Sequence, residues 1–338
     1  MKITAISPSN IAFIKYWGKK DEVLRLPENG SLSMCLSNLL TTTTVDFSKD
    51  YRDDLISVKS PTDRIDKKSH VRYFGNDEEN RRIVKFIDLI RKMAGINLKA
   101  KVVSQNNFPS GTGLSSSASG FAALSLAASK AAGLNLNEKE LSILARQGSG
   151  SACRSVSDGF VQWLDGNSSE ESYAVSLFPA NYWEIADVVA IVSSDKKDVS
   201  STEGQKLVSS SPFFNIRLQN IKAKLELAKK LLKQKNFPLF GELLEAEALE
   251  LHAVMLTSQP SLIYWTPGTL KIMKLTKKWR REGLEAYFTI NTGQDVHLIC
   301  EQKNINSVQE KLKEIEEVKE IIVNKPAAGA RLTETHLF

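Results

Sequence analysis

The chain has 338 residues, room for one large or two medium domains at roughly 150 residues each, and its 42% hydrophobic, 25% charged and 8% aromatic composition excludes collagen-like, low-complexity and disordered classes. Forty-five Lys+Arg against 39 Asp+Glu leave a net charge of +6, a mild basic excess that suits nucleic acid, an anionic membrane or a small polyanion without choosing among them. Three scattered cysteines, Cys35, Cys153 and Cys300, form neither a disulfide framework nor a zinc spacing, and the N-terminus carries no continuous apolar run, so a cytoplasmic protein without a membrane span is expected.

In chain order, residues 2–6, 11–17 and 41–47 read as strands, rich in β-branched and aromatic residues. Residues 50–80 read as polar and irregular. Ile83, Phe86, Ile87 and Ile90 recur at helical spacing, and residues 99–104 alternate as a strand does. An Ala- and Leu-rich run over 121–132 predicts a tightly packed helix closed by Gly133, and Asn137 with Glu140 marks the next helix start. Strands are expected at 158–163 and 186–193. Amphipathic helices follow at 216–235, 239–255 and 269–282, then strands at 286–291 and 296–300, a helix at 308–318 and a strand at 321–323. Strands and helices mix without strict alternation, which predicts α+β lobes with a boundary in the turn-rich stretch near 165–185. The lysines of 222–235 read as a solvated helix face, not a nucleic-acid surface. His70, His252, His297 and His336 show no paired-ligand spacing.

The most informative segment is Pro109-Ser110-Gly111-Thr112-Gly113-Leu114-Ser115-Ser116-Ser117-Ala118, set between a predicted strand and a predicted helix. There, backbone N–H groups and a helix N-terminus converge on an anion, the glycines allow close approach, and the serine hydroxyls add donors to phosphate and a contact for magnesium. Neither GxxxxGK[ST] nor GxGxxG is present, because Ser116 stands at the third glycine.

This loop resembles the ATP-binding loop of the GHMP kinases. Asn10-Ile11-Ala12-Phe13-Ile14-Lys15-Tyr16-Trp17-Gly18-Lys19, Asn106-Asn107-Phe108-Pro109 and Gly148-Ser149-Gly150-Ser151-Ala152-Cys153-Arg154-Ser155 narrow the resemblance to the diphosphomevalonate decarboxylase family, over nearly the whole chain. The resemblance implies the α+β GHMP kinase fold. An N-terminal ATP-binding lobe like ribosomal protein S5 domain 2 (1–180) and a ferredoxin-like C-terminal lobe (181–338) would flank the site. It implies ATP and Mg2+, a small-molecule substrate with no nucleic acid or membrane partner, and a homodimer. The implied reaction converts mevalonate 5-diphosphate to isopentenyl diphosphate, ADP, phosphate and CO2: a tertiary hydroxyl takes the γ-phosphoryl group, which then leaves as the carboxylate departs. Pro109, Gly111, Gly113, Leu114, Ser115, Ser116 and Ser117 are implied to bind ATP. Asn10, Lys15, Tyr16, Trp17, Gly18, Lys19, Arg82, Ser149, Gly150, Ser151, Ala152, Cys153, Arg154, Ser201 and Thr202 are implied to bind substrate, the last two through Lys196-Lys197-x-x-Ser-Ser-Thr. Catalytic roles are implied for Lys15, Ser116, Arg154 and position 291. Cys153 reads as a small packing residue within its motif.

Position 291 departs from the family. The decarboxylases carry Asp-Ala-Gly-Pro-Asn, with the Asp as catalytic carboxylate, where this chain has Asn291-Thr292-Gly293-Gln294-Asp295. An amide orients a hydroxyl but accepts no proton. Asp295 follows about 13 Å along an extended chain, closer if the turn at Gly293 is tight. The readings left open are decarboxylation with another group assisting, arrest at the 3-phosphate as in a kinase, action on mevalonate 5-phosphate, an engineered inactivation, or ligand binding without catalysis. Asn291→Asp raises CO2 release by orders of magnitude if the acid alone is missing; no rise means the proton is handled elsewhere.

Overall fold

The computed structural model describes residues 1–59, 61, 78–193 and 197–338. The first strand, β1 (Ile3–Ile14), merges the two expected at 2–6 and 11–17. Register shifts at Pro8/Asn10 and Ala12/Ile14 absorb the polar Ser7-Pro8-Ser9-Asn10 interruption, because a proline without an N–H fits a bulge, and Trp17 lies beyond the strand end. A small ribbon, β2 (Lys19–Asp21) and β3 (Leu26–Pro27), leads into β4 (Ser31–Ser48). The expected 41–47 strand is only the second half of β4. Next come β5 (Leu55–Lys59), inside the stretch read as irregular, then α1 (Glu78–Ala94) and β6 (Lys99–Asn106). The rest of 50–80, with His70, lies outside the described residues.

Helix α2 (Ser116–Ala131) starts earlier than the expected 121, at the end of the phosphate loop, and stops where expected, with Gly133 at φ 84°; α3 (Glu138–Gly148) starts where expected, at a capping box of Asn137 and Glu140. A 3-10 turn (Gly150–Ser155) leads to β7 (Phe160–Trp163) and β8 (Ala174–Phe178), the latter unforeseen in the stretch read as a boundary. The first sheet runs β13-β1-β4-β6-β5, where β13 is Arg331–Thr333, with β7 on the first half of β4 and β8 beyond it. The chain thus returns at its end to pair Leu332 with Ala5.

The second half opens with β9 (Ile185–Ile191) and α4 (Ser201–Lys206). Helices α5 (Phe214–Gln234), α6 (Phe237–Thr257) and α7 (Pro267–Arg281) follow, then β10 (Ala286–Thr289), β11 (Val296–Glu301), α8 (Ile305–Lys313) and β12 (Glu320–Asn324). The second sheet is antiparallel, ordered β10-β11-β9-β12. Helix α8 starts and ends earlier than 308–318, because the chain turns at Leu312 to bury Ile315. On α5 the apolar stripe Ile221, Leu225, Ala228 and Leu232 is buried and most of its lysines face outward, as expected of a solvated face.

One apolar cluster fills the first sheet against α1–α3 and another the second sheet against α7 and α8. A third joins the halves, packing Phe13, Leu32 and Phe160 with Val189, Leu225, Phe240 and Tyr287. This shared core fixes the end of β1 against α5 and α6, where Lys15 emerges. Among the described residues no helix is long and apolar enough to cross a membrane.

Candidate active site

The serine- and glycine-rich loop leaves β6 and enters α2 through three positive-φ residues: Gly111 (81°), Gly113 (114°) and Ser115 (58°). Ser115 occupies the N-cap in the left-handed region without a side-chain capping bond, and the first turn of α2 holds no acidic residue. The orphan N–H groups at the helix start are therefore open to an anion. Ser9 donates to Leu114 O (2.6 Å) and Asn106 to Ser110 Oγ (2.6 Å), which fixes the loop from behind.

Opposite lies the turn after β10. An added Cβ on Gly113 would stand 2.8 Å from Gly293 Cα, and one on Gly293 only 2.2 Å from Thr112 O, so the two loops touch backbone to backbone. Gly293→Ala is expected to push the phosphate loop off this turn and weaken ATP binding roughly tenfold to a hundredfold, the effect of about 1–3 kcal/mol of overpacking, read as KM or by calorimetry with ADP.

Between these loops and α4 runs a cleft with five basic residues on its walls, Lys15, Arg25, Arg82, Arg154 and Lys197, and no acidic one among the described residues. Hydroxyls supply most of the remaining polarity: Tyr16, Ser110, Ser115, Ser116, Ser117, Ser149, Ser151, Ser201, Thr202 and Thr292. Lys15, Arg154 and Lys197 are buried and none of the three forms an ion pair among the described residues.

Arg154 donates through Nη1 to Ser31 Oγ (2.6 Å) and through Nη2 and Nε to Asn10 Oδ1 (3.1 and 3.3 Å). All these acceptors are neutral. Burial lowers its pKa. Asn10 is locked in turn by donating to Ser155 Oγ (2.8 Å) and Ser151 O (3.2 Å). Lys197, which the sequence reading passed over although it stood in the Lys196-Lys197 motif, donates to Ser201 Oγ (2.7 Å), Thr292 O (2.8 Å) and Thr292 Oγ1 (3.3 Å). Burial pushes its pKa down to about 8. Lys196 lies outside the described residues.

Lys15 follows the last residue of β1. Its N–H donates to Glu247 Oε1 (3.0 Å) on α6, and its carbonyl accepts from Arg217 of α5 (3.0 Å) and from Asn29 (2.9 Å). Arg217 and Glu247 form an ion pair with fully buried side chains, so charges under the cleft hold the backbone that presents Lys15. Its Nζ donates to Ala12 O (2.7 Å) and to Asn291 Oδ1 (3.1 Å). Asn291 donates through Nδ2 to Ser115 Oγ (3.2 Å), and its carbonyl meets His252 Nε2 at 3.0 Å. Burial pushes the His252 pKa down to about 3, so the neutral ring is a hydrogen-bond donor to the backbone of position 291.

Asp295 does not line the cleft. Its carboxylate accepts from Val192 N–H (3.0 Å) at the end of β9, outside the cleft lining, and burial pushes its pKa up to about 6.

Most residues implied by the resemblance converge here: Lys15, Tyr16, Trp17, Arg82, Gly111, Gly113, Ser115, Ser116, Ser117, Ser149, Gly150, Ser151, Arg154, Ser201, Thr202 and Asn291. Others stand outside the lining. Lys19 sits on β2, ion-paired with Glu22, and Gly18 packs under Phe214. Ala152 and Cys153 are wholly buried, with burial raising the Cys153 thiol to about 12, which fits a packing role. Leu114 belongs to the shared core, Pro109 precedes the lining, and Asn10 acts through Arg154. Sequence reasoning missed Lys197, Arg25 and the Glu247–Arg217 pair; only Lys197 had a signal, its place in a quoted motif. Ser116 and Ser117 also border a small hollow of Val58, Ile83, Val102, Phe121 and Leu124 beside Asn106.

A two-lobed α+β chain with an uncapped helix start facing an all-cationic cleft is a GHMP-type phosphate-handling protein. The Diphosphomevalonate decarboxylase-like N-terminal domain matches residues 7–174, and the Mevalonate 5-diphosphate decarboxylase C-terminal domain matches 187–333. The chain belongs to the diphosphomevalonate decarboxylase family. It is 35% identical to the diphosphomevalonate decarboxylase of Candida albicans over 309 residues, 89% of this chain and 85% of that one. The Homo sapiens enzyme is 33% identical, over 82% of this chain and 70% of its own. The mevalonate diphosphate decarboxylase of Staphylococcus aureus superposes with a TM-score of 0.90 at 35% identity, covering 98% of both chains. The enzyme designated MDDEF, solved with MVAPP, AMPPCP and magnesium, superposes with a TM-score of 0.89 at 38% identity, covering 99% of both.

Proposed function

We infer that this protein catalyses the ATP-dependent decarboxylation of mevalonate 5-diphosphate to isopentenyl diphosphate, with release of ADP, phosphate and CO2. The observation that carries it is the cleft whose basic groups Lys15, Arg154 and Lys197 are buried with no ion-pair partner among the described residues. Burying basic groups without counter-ions is costly, and a substrate bearing a diphosphate and a carboxylate, bound together with a triphosphate, supplies them. Support also comes from the family membership and from the MVAPP and AMPPCP bound in a related structure.

On this reading the triphosphate lies on the start of α2, with its base in the apolar hollow reached past Ser116 and Ser117. Arg154, held rigid by Asn10 and Ser31, presents its remaining N–H donors to the substrate carboxylate or phosphates. Lys15 and Asn291 flank the place where the tertiary hydroxyl meets the γ-phosphoryl group.

Among the described residues no group of three or more His, Cys, Asp or Glu is placed to hold a metal. The hydroxyl donors of the cleft fit a magnesium ion carried in on the triphosphate, with Ser116 as its protein oxygen. Such an ion neutralises triphosphate charge.

We place the protein in the cytoplasm as a homodimer on its resemblance to the family; a monomer in sedimentation overturns the second part. The activity is tested by incubating the protein with ATP, magnesium and carboxyl-labelled mevalonate 5-diphosphate, 5-phosphate or mevalonate. Labelled CO2 from the diphosphate is expected. A stable phosphorylated product, CO2 only from the monophosphate, or binding without turnover each replaces this reading with another.

A further inference from the structure

We propose that Lys15 acts as a neutral amine and is the general base that takes the proton of the substrate's tertiary hydroxyl. The proposal rests on the decarboxylase reading and adds what that reading lacks, a proton acceptor in a cleft whose family acid is an amide.

The candidates are few. Among the described residues no Asp or Glu lines the cleft, His252 is turned to the Asn291 carbonyl, and Asp295 faces β9. Burial raises the Tyr16 phenol, which keeps it protonated. Two lysines remain, and their hydrogen bonds separate them. Lys197 has three acceptors, one for each hydrogen of an ammonium. Lys15 Nζ has two, Ala12 O and Asn291 Oδ1, and no other hydrogen bond among the described residues.

A neutral amine has two N–H bonds and one lone pair. With both hydrogens taken by these carbonyl oxygens, the fourth tetrahedral direction is left to the lone pair in a residue that lines the cleft. Asn291 is what permits this state. A carboxylate at the same place, 3.1 Å from Nζ, would hold the ammonium charged, whereas the amide accepts a hydrogen bond equally well and contributes no charge.

The surrounding groups lean the same way. Burial pushes the Lys15 pKa down to about 7, against the pull of Glu247 on α6 and Asp187 on β9 and with the push of Arg154 beside it and Arg217 on α5. The remaining neighbours, Asn291 and His252, are uncharged.

The step balances without another reactant. The Lys15 lone pair takes the hydroxyl proton as that oxygen bonds to the γ-phosphorus, and the bond to the ADP oxygen breaks with its electrons leaving on ADP. The carbon–oxygen bond to the new phosphate then breaks with its electrons on phosphate. The carbon–carboxylate pair becomes the new double bond, and CO2 departs. The proton stays on Lys15 as an ammonium beside the leaving phosphate.

Three variants and one pH series test this. In the unaltered protein kcat is expected to fall as pH drops below about 7, because protonation removes the lone pair. Asn291→Asp restores a charged neighbour, raises the Lys15 pKa and moves that acidic limb to the carboxylate's own lower range. Lys15→Arg puts a permanent cation in place of the amine and loses the base, so CO2 release is expected to drop roughly 10²–10⁴-fold. Lys15→Ala is expected to fall equally and to recover in part with added ethylamine, in proportion to its neutral fraction. An acidic limb that stays put in Asn291→Asp, or Lys15→Arg activity within about tenfold of the unaltered protein, overturns the proposal. The Asn291→Asp series leaves Lys15 in place and so decides even where the Lys15 variants do not fold. Failure of both the unaltered protein and Asn291→Asp to turn over ATP with mevalonate 5-diphosphate at any pH overturns the functional reading, and this proposal with it.

Discussion

Alanine in place of Arg154 is expected to lower kcat/KM for mevalonate 5-diphosphate by roughly 10²–10³-fold, the effect of removing a preorganised donor from a developing or resident anion. The guanidinium is buried and, among the described residues, hydrogen-bonded to Asn10 and Ser31 beside the Trp163 ring, all uncharged, so its charge is not paired within the protein. Lysine does not rescue it, because an ammonium lacks the planar fork that reaches both partners and a ligand. Asn10→Ala is expected to show a smaller loss, since it frees Arg154 to move without removing the charge. Measured kcat and KM for the three variants check the order; an Arg154→Lys enzyme near full activity contradicts it.

Glu247→Ala is expected to lower the unfolding free energy by about 3 kcal/mol, read from urea unfolding. The carboxylate is fully buried and answers Arg217, equally buried, and removing it leaves that guanidinium with Glu250, whose side chain is 31% exposed. The value lies at the lower edge for breaking a buried pair because Glu250 stays. The same change frees the Lys15 backbone N–H and removes the largest pull toward the charged form of Lys15. The acidic limb of kcat is therefore expected to shift further down in Glu247→Gln, which preserves the shape of the network. A loss below about 1 kcal/mol places the pair's role elsewhere.

The phosphate loop was legible because its chemistry is local. Glycines that take positive φ, serines at a helix start and a preceding strand all lie within a dozen residues, and short-range sterics decide them. The helix starts at Asn137 and the stop at Gly133 were legible for the same reason. Strand limits were not. The strands expected at 2–6 and 11–17 are one, Ile3–Ile14, because β4 pairs along the length of β1, and Ala174–Phe178 and Arg331–Thr333 are strands only because β7 and β1 offer them an edge.

Residue types and motif order determined most of the groups that line the cleft, though not Lys197 or Arg25, and that an amide stands at position 291 where the resemblance expects an acid. Tertiary structure alone decided what those groups can do. Three basic groups from separate stretches are buried without an ion-pair partner among the described residues, Asp295 turns to β9, and Lys15 is desolvated and meets an amide instead of a carboxylate. The division has a physical cause: backbone conformation answers to neighbours along the chain, whereas the charge state of a side chain answers to the dielectric and the dipoles gathered around it from 276 residues away.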